Sequence, residues 1–134
     1  MDDKFKEHIE SYISSFVPKN KRDRWKYTIT KDHGTWGKLS SHDCTEPELS
    51  DWNTSPSQNI QKAGIEKHLN SDVYVFPIGH GAIGDGPYKS TLKDVLLGDD
   101  WPSECIISII PGKLAISYGH SNEFRFCSKV APNK

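Results

Sequence analysis

The run Val73-Tyr74-Val75-Phe76-Pro77-Ile78, followed by Gly79-His80-Gly81-Ala82-Ile83-Gly84-Asp85-Gly86-Pro87 and then by Thr91-Leu92-Lys93-Asp94-Val95-Leu96-Leu97-Gly98, decides the fold class. Its first part is almost continuously apolar instead of alternating, which predicts a strand covered on both faces and therefore inside a sheet. A glycine-rich loop follows. Thr91 with Asp94 three residues later predicts a capped short helix that turns Leu92, Val95 and Leu96 inward and closes at Gly98.

Beyond this stretch, Asp99-Asp100-Trp101-Pro102-Ser103 has turn chemistry and three strands follow in succession. Cys105 to Ile110 is apolar on both faces, so it is predicted to be central. After Pro111-Gly112, the segment Lys113 to Tyr118 puts Leu114, Ile116 and Tyr118 on one face and Ser117 on the other. After Gly119-His120-Ser121-Asn122, Phe124 and Phe126 alternate with Glu123 and Arg125. Residues 131–134 form a frayed tail.

On the N-terminal side, Asp3 is expected to cap a helix whose residues Phe5, Ile9, Tyr12, Ile13 and Phe16 recur on one face, with Pro18 ending it. Lys19-Asn20-Lys21-Arg22-Asp23-Arg24 then reads as a basic connection. Trp25, Tyr27 and Ile29 alternate with Lys26, Thr28 and Thr30, which predicts a strand, with Gly34 to Leu39 as its hairpin partner. A polar, acidic stretch at about 40–54 has no periodicity and reads as a long loop. Ser55-Pro56-Ser57-Gln58 then carries the signature of a helix start, and the helix is expected to run to about Leu69. The predicted fold is α+β: one domain over 1–134, a mostly antiparallel sheet of five to six strands with two or three helices packed on it.

The 134 residues suffice for one core, and an apolar share of 34% with fourteen aromatic residues argues against wholesale disorder. No run approaches the length of a membrane-spanning helix, and the start Met1-Asp2-Asp3-Lys4 lacks secretory-signal character, so the expected compartment is the cytosol and no membrane contact is expected. Cys44, Cys105 and Cys127 have no metal-ligand spacing, which fits reduced thiols, with Cys105 and Cys127 at core strand positions. Net charge is −1, distributed as +3 over residues 1–31, −4 over 32–59 and zero over the remainder. That balance makes a nucleic-acid partner unfavourable.

The candidates for chemistry each have a plain structural alternative. Gly79-x-Gly81-x-x-Gly84 follows a strand, but Asp85-Gly86-Pro87 interrupts before a helix can start inside the loop, and Glu104 precedes its strand. A dinucleotide site is therefore rejected, and no cofactor is expected. His80 between glycines, with His120 and Lys89, has the residue types for acid–base phosphodiester cleavage, the alternative being an exposed histidine on a wide turn. Cys44 beside His42 is a weak nucleophile candidate. His33, His42, Asp43 and Cys44 offer ligands without metal-site spacing, so no metal is expected. The acidic stretch with its tryptophan suits a basic protein partner. Two functions follow. The favoured one is a small non-catalytic protein-binding protein, of the inhibitor or immunity type, neutralising a toxin or enzyme through Asp43, Glu46, Glu48, Asp51, Trp52, His80 and Asp85. The alternative is a histidine-dependent hydrolase or ribonuclease using His80, His120 and Lys89.

Overall fold

The computed structural model describes residues 2–44, 64–82, 86–97, 103–119 and 124–129, with the backbone alone at His80. Helices α1 (Asp3–Phe16) and α2 (Lys19–Ile29) lead into two tight helical turns, His33–Lys38 and Ser41–Asp43. Strand β1 (Asp72–Pro77), strand β2 (Tyr88–Thr91), helix α3 (Leu92–Leu97) and strands β3 (Cys105–Ile110), β4 (Leu114–Tyr118) and β5 (Phe124–Ser128) follow. The strands form one sheet in the order β2-β1-β3-β4-β5, and every neighbouring pair is antiparallel. The fold is α+β, as expected.

The continuous apolarity of β1 has a direct cause. Tyr74 and Phe76 face a layer built from α1 and α2, where Ile9, Tyr12, Ile13, Phe16, Trp25 and Ile29 pack over Ile106, Ala115 and Cys127. Val73 and Val75 face the opposite layer, in which Leu92, Val95 and Leu96 of α3 pack with Ile65 on Ile107, Ile109, Leu114 and Ile116. Helices therefore cover both faces of the sheet, and each fully buried large aliphatic or aromatic side chain contributes about 1.5–3 kcal/mol. The side toward α1 and α2 also buries polar groups. His8 of α1 hydrogen-bonds Ser108 of β3 at 2.7 Å, and burial, only partly opposed by Glu7, lowers its pKa below the ordinary 6.5.

Four expectations are corrected. Residues 19–30 are neither a basic connection nor a strand but belong to α2 and its end. Trp25, Thr28 and Ile29 are buried at helical spacing, while Tyr27, which alternation would turn inward, is 65% exposed. Pro18 sits in extended conformation at the start of α2, and the Arg22 Nε–H donates to Val17 O at 2.8 Å, joining the two helix ends. Gly34 to Leu39 is not a hairpin strand, because the chain coils there to bury Trp36 and Leu39. The cap of α1 is Asp2, whose Oδ1 accepts the Lys4 and Phe5 amides, and Asp3 is already helical. The helix expected to run to about Leu69 does not reach it, because residues 64–69 hold Gly64, at φ +67°, and a tight turn over Glu66–His68; its expected start at Ser55 lies outside the described residues. Strand β2 was not foreseen. The tail at 131–134 and the greater part of the 40–54 stretch also lie outside the described residues.

Candidate functional site

A cleft of about 430 Å³ opens where the start of α1, the end of α2, the turn His33–Lys38 and Pro87 meet. Its apolar walls are Phe5, Ile29 and Pro87. It backs onto an aromatic array: Trp36 stacks on Phe76 at 6.2 Å, Phe5 meets Phe76 edge-on at 6.0 Å, and His33 lies 5.3 Å from Trp36. The local fold follows from these rings. Trp36, only 3% exposed, is the anchor around which the turn coils. Gly86 beside the His33 ring has φ +87°, a left-handed conformation that favours glycine at this point of the chain.

The polar groups of this cleft fall into two classes. Asp2 caps α1, Thr30 Oγ1 donates to Tyr27 O at 2.6 Å, and the Lys31 ammonium lies 4.6 Å over the Tyr27 ring. By contrast, Trp36 Nε1 and both ring nitrogens of His33 are buried and have no hydrogen-bond partner among the described residues. Burial lowers the His33 pKa, so the ring is neutral at pH 7, with one nitrogen donating and the other accepting. Leaving such groups unsatisfied costs about 1–3 kcal/mol each, which a bound group offering partners would recover.

The residues singled out from sequence are dispersed. Asp43 is partly buried, and its carboxylate accepts from Lys21 Nζ at 2.8 Å and from the Trp25 indole at 3.0 Å, tying the turn Ser41–Asp43 to α2. Lys89 lies on edge strand β2 and pairs with Asp72 at 3.4 Å. The His80 backbone forms the turn Gly79–Gly81, and its side chain lies outside the described residues. Glu46, Glu48, Asp51, Trp52, Asp85 and His120 also lie outside them. Among the described residues no group of three or more His, Cys, Asp and Glu is arranged to hold a metal ion.

A smaller cleft of about 280 Å³ is lined by Ser40, His42, Gly79 and Glu104. Glu104, 3% exposed, accepts the Ser41 amide at 2.8 Å, and its carboxylate fills the space a side chain at Gly79 would need. Its carbonyl also accepts the Ile78 amide at 3.1 Å. This carboxylate therefore joins two turns and is part of the scaffold. In the sequence Glu104 stands out only for the rejected dinucleotide site. The signal available for the larger cleft was the proximity of His33 and Trp36, which does not disclose that their nitrogens lack partners.

No family profile, curated protein or solved structure matches the chain.

Proposed function

We propose that the protein is a non-catalytic binding protein that holds a partner protein at the His33–Trp36 cleft by engaging a peptide amide. The observation that carries this reading is the set of three ring nitrogens of the lining residues His33 and Trp36, buried behind the cleft surface and without a hydrogen-bond partner among the described residues, which a small rotation of either ring would present to an occupant. Trp36 Nε1 can only donate, whereas neutral His33 donates once and accepts once, so a group completing the set must both accept and donate. An amide does both. A carboxylate or phosphate only accepts and would leave an imidazole acceptor bare. The rim supports a protein partner over a small molecule: Lys31 borders the cleft and lies over Tyr27, whose exposed ring is a residue type that dominates interface energies.

Within this reading, an inhibitor or immunity-type role toward a basic toxin or enzyme rests on Glu46, Glu48, Asp51 and Trp52, whose charge would complement such a partner. The hydrolase alternative rests on His80, His120 and Lys89, of which Lys89 forms an exposed ion pair with Asp72.

Selecting a phage-displayed random peptide library on the immobilised protein, then measuring enriched peptides calorimetrically, tests the reading. Trp36→Phe and His33→Phe are each expected to weaken binding roughly tenfold, the equivalent of about 1.4 kcal/mol. Absence of enriched peptides, or equal affinity for both variants, would overturn it.

A further inference from the structure

We infer that Cys44 and Cys127 are a dithiol pair that a peroxide converts into an intramolecular disulfide, stapling edge strand β5 to the end of the turn Ser41–Asp43. Their sulfurs lie 3.1 Å apart although the residues are 83 positions apart in sequence. A disulfide bond is about 2.05 Å long, so closing it requires the sulfurs to approach by about 1 Å. Both side chains are held in place. Cys127 is paired in register with Ala115 of β4, and Cys44 follows a turn anchored through Asp43 to Lys21 and Trp25. Buried Tyr12 of α1 closes the site from the helix side, and its phenol is pushed upward first by burial and then by the two neighbouring thiols.

The two thiols are not equivalent. Cys44 is 8% exposed and Cys127 fully buried, so oxidation begins at Cys44. Its thiolate attacks one peroxide oxygen, the O–O bond breaks, and hydroxide leaves and is protonated to water, giving a sulfenic acid. Cys127 loses its proton and attacks the Cys44 sulfur, the S–O bond breaks, and a second water leaves. Two thiols lose two electrons in total and hydrogen peroxide is reduced to two waters. Cys105 stands apart as an internal control. It belongs to the opposite core layer, and burial pushes its thiol far above the ordinary range, holding it protonated and unreactive.

Treating the folded chain with hydrogen peroxide, followed by denaturing alkylation and peptide mass mapping, tests the inference. The expected product is lighter by two hydrogens, contains a Cys44–Cys127 linked peptide and carries its alkyl group on Cys105. Its urea midpoint should rise relative to the reduced chain, a shift retained in Cys105→Ser and absent in Cys44→Ser and Cys127→Ser. Sulfinic acid at Cys44 with Cys127 still a thiol, a link through Cys105, or all three cysteines alkylated after peroxide treatment would each overturn it.

Discussion

Asp43 ties its turn to α2 through both carboxylate oxygens: Oδ1 accepts from Lys21 and Oδ2 from the indole of Trp25. Asp43→Ala would leave the fully buried Trp25 N–H without an acceptor, so a loss of about 2 kcal/mol in urea unfolding is expected, with Asp43→Asn retaining part of it. The opposite sign is expected at the cleft. His33→Phe removes two nitrogens that have no partner among the described residues, so the unliganded chain should keep its stability or gain some in the same measurement. Gly81 gives the clearest steric prediction. A Cβ there would collide with the Glu104 backbone, which cannot swing aside as a side chain can, so Gly81→Ala should cost about 1–3 kcal/mol or more.

Helix α3 is a single short element fixed at its start by the Asp94 amide donating to Thr91 Oγ1 at 3.2 Å. Thr91→Ala should therefore cost about 1 kcal/mol and raise amide exchange across Leu92–Leu97 before it does so in β1. This helix was legible from its capping residues Thr91 and Asp94, α1 from a single helical period held over fourteen residues, and strands β1, β3, β4 and β5 from apolar or alternating runs bounded by turn residues. Helix α2 was not. In a window as short as Trp25 to Thr30, the set Trp25, Tyr27, Ile29 suits a strand and the set Trp25, Thr28, Ile29 suits a helix, and tertiary burial decided for the second. Strand β2 was illegible for a different reason. At the sheet edge it is held by backbone pairing to β1, while Tyr88 and Lys89 remain exposed and supply no apolar pattern. The cleft was beyond reach, since it joins side chains from α1, α2, a tight turn and Pro87, and the lack of partners is a property of the packed structure alone.

At the scale of the whole molecule, one sheet carries a helical layer on each face, and the His33–Trp36 cleft lies at one end of the α1–α2 layer. No helix among the described residues is long and apolar enough to cross a membrane. Two histidines, one buried and one half-buried, couple this assembly to pH. His8 and His33 both have folded pKa values below the ordinary 6.5, mainly through burial, so the unfolded chain binds protons more readily. Their contribution is complete above pH 6.5 and is lost as the pH falls through that value toward the lower folded values. Thermal midpoints should therefore fall across this range. His8→Gln, which retains a side-chain partner for Ser108, should flatten part of the slope.

The most direct measurement of the cleft chemistry is the indole N–H spectrum of the nitrogen-15-labelled chain, with the Trp36 signal assigned by its loss in Trp36→Phe. N-methylacetamide, a single peptide unit, should move that signal downfield as Nε1–H gains an acceptor, while sodium acetate at the same concentration moves it less. A Trp36 signal unmoved by the amide, or moved more by acetate, would contradict recognition of a peptide amide at this site.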